Sequence, residues 1–198
     1  VPNPVCDPLP IGRELGPQAF CGEWWPFWRR ADEATLKPGR PRMILLIGCQ
    51  QVRIRDLTIR NAPSWTIHPV GCEDLVIESV SIHNDWNVAN NDGIDPDHCR
   101  NVRIANCHIH AADDGIVIKN TPNFAAYGPS ENITVTGCTI TSRSCALKLD
   151  EAYAPPGIRN VVFSACVIFG SNRGLCIQSR DAGDIENVLF SNITIETQ

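Results

Sequence analysis

The sequence predicts an all-β fold, a parallel β-helix of about six coils. Three observations predict the solenoid: a repeated strand pattern, a second strand inside most repeats, and a column of isoleucine at one repeat position. Six segments superpose, namely VRIRDLTIR from Val52, LVIESVSIH from Leu75, VRIANCHIH from Val102, ITVTGCTIT from Ile133, VVFSACVIF from Val161 and VLFSNITIE from Val188. Self-similarity at such a period marks a solenoid, because each unit has an apolar face that only a neighbouring unit can cover.

The elements follow in order. Residues 1–41 do not keep the period and form an irregular N-terminal segment. It holds CGEWWPFWRRAD, whose three tryptophans and phenylalanine either cap the open end of the helix or line a sugar subsite. Residues 42–198 form the β-helix. The eighth position of each repeat is Ile59, Ile82, Ile109, Ile140, Ile168 and Ile195, and the third is Ile54, Ile77, Ile104, Val135, Phe163 and Phe190. Positions six and eight alternate with polar residues, as a strand with one buried face requires. The β-branched content favours strands over helices. Second strands read SWTIH at 64–68, DGIDPD at 92–97, DDGIVIK at 113–119, RSCALK at 143–148 and RGLCIQ at 173–178. Connections such as NTPNFAAYGPSEN are loops on one edge.

Composition narrows the function. With 22 acidic against 17 basic residues the net charge is −5, and no strongly basic stretch exists, which argues against nucleic acid. No run of 18 apolar residues is present, so no membrane span is expected. The first residues lack a signal-peptide pattern, and the last stop inside a repeat, so a fragment of a longer protein is expected. Of the ten cysteines, Cys107, Cys138 and Cys166 share the sixth repeat position, and Cys49, Cys72 and Cys99 each lie the same short distance before a repeat. Stacked in this way they fill a core layer as small hydrophobes. Cys6 and Cys21 lie outside the repeat and are candidates to pair. No CxxC occurs, and neither zinc nor another metal or cofactor is expected.

One wall of the solenoid gathers chemistry. Aligning the second strands on Gly93, Gly115, Ser144 and Gly174 puts Asp92, Asp114, Arg143 and Arg173 at one position in successive coils. Asp113 adjoins Asp114, and the same alignment stacks Asp97, Lys119, Lys148 and Gln178 four positions further on. Stacked strands lie about 4.8 Å apart, so Asp92 and Asp114 become neighbours. Carboxylates that close cannot all ionise freely, which leaves a protonated acid beside an ionised base. Glycoside hydrolysis needs that division: an acid for the leaving oxygen, a base for water. The surrounding Lys119, Lys148, Arg143 and Arg173 point to an anionic substrate, since guanidinium groups grip carboxylates bidentately. A plainer reading is that Asp-Gly pairs are solenoid turns bonding their own backbone. His68 comes level with Asp97 and Lys119 and is a candidate to touch substrate, whereas Trp65 has the spacing of an inward, core residue. His83 and His110 share the ninth repeat position, where solvated side chains are expected.

NNDGIDPD at 90–97 and CRNVRIANCHIHAADDGIVIKN at 99–120 resemble the NTDGID and GDD-x-I-x-IK signatures of glycoside hydrolase family 28, the polygalacturonase-like enzymes. The resemblance runs from about Arg42 to the end. It implies a right-handed parallel β-helix and inverting hydrolysis of pectic chains. It also implies Asp113 as general acid, Asp92 and Asp114 as holders of the attacking water, and Lys119 as the family's IK lysine. Two motifs depart: the family's GHG falls at Ser142-Arg143-Ser144, and its RIK at Cys176-Ile177-Gln178. Arg173, Arg180 or Lys148 can stand in for the missing cations. The expected substrate is thus a pectin-like or other uronic-acid-containing polysaccharide, acted on by a secreted or periplasmic monomer. Two alternatives stay open. One is a polysaccharide lyase using Arg143 as proton acceptor, and the other a non-catalytic glycan-binding β-helix.

Overall fold

The computed structural model describes residues 40–150, 152, 157–179 and 182–197. The N-terminal aromatic cluster, the Cys6 and Cys21 pair and Arg180 lie outside these residues. The described chain is a solenoid of parallel strands with three faces. The first face stacks β2 (Arg53–Arg55), β5 (Glu73–Glu78), β7 (Arg100–Ala105), β10 (Ser130–Thr136), β13 (Ile158–Ser164) and β16 (Ile185–Ser191). The second stacks β3 (Thr58–Arg60), β6 (Ser81–His83), β8 (His108–Ala111), β11 (Thr139–Ser142), β14 (Val167–Ser171) and β17 (Thr194–Thr197). The third consists of β1 (Ile44–Ile47) on β4 (Ile67–Val70), and β9 (Ile116–Lys119) on β12 (Cys145–Asp150) and β15 (Arg173–Gln178). Bridges Ile67–Ile94–Ile116 and Val70–Asp97–Lys119 join its two halves. Six rungs therefore stand on each face.

The isoleucine column fills the interior. Ile82, Ile109, Ile140 and Ile168 are fully buried, and each contributes about 2 kcal/mol of apolar transfer. The last member, Ile195, is 42% exposed, because no described rung covers it. Cys72, Cys99, Cys107, Cys138 and Cys166 are free thiols in the same core, with Cys49 packed partly against it. Phe163 and Phe190 stack with centroids 4.9 Å apart.

Turns between the faces repeat too. Asp56, Ser79, Asn106, Gly137, Ala165 and Asn192, all at the fifth repeat position, have φ between 52° and 65°. Near the start of the first-face strands, Asp74, Asn101, Asn132, Asn160 and Asn187 are also left-handed. Their side chains form a ladder. Asn101 donates to Asp74 at 3.1 Å, Asn132 to Asn101 at 3.2 Å, Asn160 to Asn132 at 3.0 Å and Asn187 to Asn160 at 3.1 Å. Short polar side chains tolerate this backbone region because they bond locally.

The third face corrects the sequence alignment. Ile116 pairs with Leu147, and Lys119 with Asp150. Gly115 is thus level with Ala146 and Asp114 with Cys145, not with Ser144 and Arg143. Cys145 then pairs with Arg173, and Asp150 with Gln178. The step from Lys119 to Asp150 equals the step from Val102 to Ile133 on the first face. No insertion separates the two faces of this coil, so they keep one register.

An insertion does occur one coil earlier. On the second face Ser81 pairs with His108, whereas on the third Ile94 pairs with Ile116, a shorter step along the chain. The segment after β6 is therefore longer than its counterpart after β8, and the loop 84–91 carries the extra length. Asn84, buried, fastens the two ends of this loop by donating to Asn91 O at 2.7 Å and Thr66 Oγ1 at 2.8 Å.

Candidate active site

A single backbone ladder carries the site. Met43 N donates to Trp65 O, Thr66 N to Asp92 O, Gly93 N to Asp114 O and Gly115 N to Cys145 O, at 2.8–3.2 Å. Arg42, Trp65, Asp92, Asp114, Cys145 and Arg173 are consequently successive members of one column. Glycine follows Asp92 and Asp114 because the rungs approach closely. A Cβ on Gly93 would strike the Gly115 carbonyl, and one on Gly115 the Ala146 carbonyl.

Asp92, Asp113 and Asp114 each present an oxygen within 4.8 Å of the others. Asp113 is held by its neighbours: Asn90 N and Asn90 Nδ2 both donate to Oδ2 at 3.2 Å, and Asp114 N donates to Oδ1 at 3.0 Å. Asp114 is tied at both oxygens, by Cys145 N at 3.1 Å and Lys148 Nζ at 2.9 Å. Asp92 is buried, with Lys119 Nζ at 3.8 Å. Burial pushes the Asp92 pKa up to about 7, with Lys119 opposing and the other two aspartates reinforcing. Burial, then the Asp114 charge, also raises Asp113. The two raised groups differ in access, because Asp113 lines an open groove whereas Asp92 is only 3% exposed.

The two lysines are buried against carboxylates. Lys119 is buried between Asp92 and Asp95, 3.6 Å from the latter, and its ammonium lies 4.3 Å from the Trp65 ring centroid. Burial works against its charge, but Asp95 and Asp92 outweigh it and raise its pKa. Lys148 is buried between Asp114 and Asp150, whose Oδ2 is 2.8 Å away. Burial opposes its charge too, and these bonds again prevail and raise it. Both lysines are ion-paired with buried carboxylates, and only Lys148 comes within hydrogen-bonding distance. Beside them, burial and then the Asp92 charge raise Asp95 well above the usual carboxylate range.

His68 is also beneath the surface, 1% exposed and 3.5 Å from Asp97. It stands level with Asp95 rather than Asp97, since Ile67 pairs with Ile94. Burial keeps it below its ordinary pKa. Trp65 departs from its expected core role. It is half-buried in the ladder, with Arg42 stacked 4.5 Å over its ring. Gln178 is half-buried and level with Asp150, and Arg173 is exposed, donating to Ser144 Oγ at 3.0 Å.

Arg143 reaches the site by another route. Exposed, it donates to Trp86 O at 3.0 Å across a groove of about 310 Å³ lined by Trp86, Val88, Ala89, Asp113, Arg143 and Ser144. Trp86 belongs to the lengthened loop and lies on His110, ring centroids 4.7 Å apart. Sequence reasoning missed it. The signal was available, since the two DG pairs stand closer together in the chain than the neighbouring paired strands do. His83 and His108 rings lie 5.4 Å apart on the outer surface.

A probable polygalacturonase of Vitis vinifera is 30% identical over 176 residues, covering 86% of this chain and 36% of its own length. An endo-polygalacturonase of Pectobacterium carotovorum subsp. carotovorum is 25% identical over 178 residues, covering 87% of this chain and 42% of its own length. The crystal structure of a hyperthermoactive exopolygalacturonase from Thermotoga maritima superposes with a TM-score of 0.68 at 29% identity, covering 77% of this chain and 39% of that one. The chain thus spans about two fifths of the length of these relatives. The family model "Glycosyl hydrolases family 28" matches residues 16–198, and the chain belongs to that family.

Proposed function

We propose that this chain carries the catalytic centre of a glycoside hydrolase that cleaves a pectin-like polyuronide by acid–base hydrolysis. The observation that carries the reading is the set of three carboxylates within 4.8 Å, two of them raised, one of those open to a groove. Asp113 gives its proton to the leaving glycosidic oxygen. A water held between Asp92 and Asp114 attacks the anomeric carbon and loses its proton to the carboxylates. Lys119 and Lys148 fix Asp92 and Asp114 in place, a positioning role. Arg143, exposed in the groove beside Asp113, and Arg173, exposed two rungs past Asp114, suit the carboxylates of the sugar. A secreted, pectin-degrading setting goes with this reading.

The carboxylate spacing is shorter than the roughly 6.5–9.5 Å of two-carboxylate inverting pairs. Here the water has a third carboxyl to hold it. Both oxygens of Asp114 are already hydrogen-bonded, which suits holding water better than attacking carbon. Inversion follows. The lyase reading is not favoured, because the family matched is one of glycosyl hydrolases. Proton NMR of polygalacturonate during the first turnovers tests the proposal. New reducing ends of inverted configuration support it, and ends of retained configuration, or unsaturated ends, refute it.

A further inference from the structure

We propose that Arg42, held over the Trp65 ring, is a carboxylate-binding subsite for one uronate residue of an extended polyuronide. It lies two rungs from Asp92 and three from Asp114, toward the first coil. The inference deepens the function proposed above and rests on it.

The ladder gives the position. Arg42, Trp65 and Asp92 occupy the same place in three successive rungs, tied by the Met43–Trp65 and Thr66–Asp92 backbone hydrogen bonds. At about 4.8 Å per rung, Arg42 stands roughly 10 Å from Asp92 along the axis. At the other end of the column, Arg173 pairs with Cys145, one rung past Asp114. The acids are therefore flanked by an exposed arginine on either side, as a polyanion lying along the solenoid requires.

The chemistry gives the ligand. The guanidinium carbon of Arg42 lies 4.5 Å over the Trp65 ring. Stacking engages the face of the guanidinium and leaves its edge donors pointing away from the ring. Among the described residues the Arg42 side chain has no hydrogen-bonded or ion-paired partner, and it is exposed. A planar fork held over a ring, with no partner for its donors among the described residues, matches a carboxylate. Stacking also lowers the entropy lost on binding, because the long side chain is already ordered. Trp65 is held in turn, since the buried Lys119 ammonium lies 4.3 Å from its centroid. A disaccharide spanning the cleaved bond does not reach Arg42, whereas a longer chain does.

The test titrates wild type, Arg42→Ala and Arg42→Lys with a galacturonate dimer, a hexamer, and the fully methyl-esterified hexamer, by calorimetry. Expected is a roughly tenfold loss of hexamer affinity for Arg42→Ala, a far smaller loss for the dimer, and intermediate behaviour for Arg42→Lys. The difference between wild type and Arg42→Ala should vanish on the esterified hexamer. Equal losses on dimer and hexamer, or no loss on either, overturn the subsite alone. A wild type that binds no galacturonide at all overturns the catalytic reading with it.

Discussion

Lys148 Nζ lies 2.9 Å from Asp114 Oδ2, and the same ammonium lies 2.8 Å from Asp150 Oδ2. All three groups are at most 7% exposed, so the lysine cancels charge that water cannot reach. Removing one partner of a buried ion pair leaves the other uncompensated. Lys148→Met should therefore destabilise the fold by about 3 kcal/mol, read by urea denaturation. It should also lower kcat, because Asp114 loses one of its two anchors. A variant as stable and as active as wild type would show that the lysine is dispensable.

Asp92 sets a pH dependence. Its folded pKa, about 7, lies above the ordinary 3.8 because of burial. A raised carboxyl binds more protons folded than unfolded between those values. Its contribution is therefore full at low pH and is lost as pH rises through about 7. Asp92→Asn removes the titration and leaves Lys119 paired with Asp95. The Tm of Asp92→Asn minus that of wild type should grow as the pH is raised from the acidic to the alkaline side of this window. A constant difference across it would contradict the assignment.

Arg143 should act through substrate charge. Its guanidinium borders the groove beside Asp113 and is exposed. Arg143→Ala should raise KM for polygalacturonate roughly tenfold and leave KM for the methyl-esterified polymer nearly unchanged. Equal effects on both substrates would mean that Arg143 only braces the Trp86 loop.

The periodic part of the molecule is legible in the sequence, and the reason is physical. A stacked strand must repeat its inward residue, so Ile82, Ile109, Ile140 and Ile168 announce the core. The same logic places Asp92 over Asp114. It fails where a likeness between glycine and serine is preferred to the strand spacing. Aligning Gly115 with Ser144 instead of Ala146 puts Lys148 over Lys119, whereas Asp150 stands there. It fails also where reach decides. Nothing in the spacing shows that Lys119 and Lys148 fold inward onto carboxylates, because a four-carbon stem can point its charge either way. Trp65 escapes it for a related reason. Its ladder neighbours are Arg42 and Asp92, an open column, and the pairing of Ile67 with Ile94 is what reveals it.

In the proposed mechanism Asp113 delivers the proton for hydrolysis. Asp113→Asn keeps the shape of the side chain and removes only its titratable proton. The most direct measurement is the rate of new reducing ends from polygalacturonate, wild type against Asp113→Asn, with ultraviolet absorbance followed for unsaturated products. Wild type should release reducing ends without absorbance, and the variant should show a fall in kcat of roughly 10²–10⁴-fold with an unchanged circular dichroism spectrum. Equal rates in the two proteins, or absorbance rising with cleavage, would contradict it.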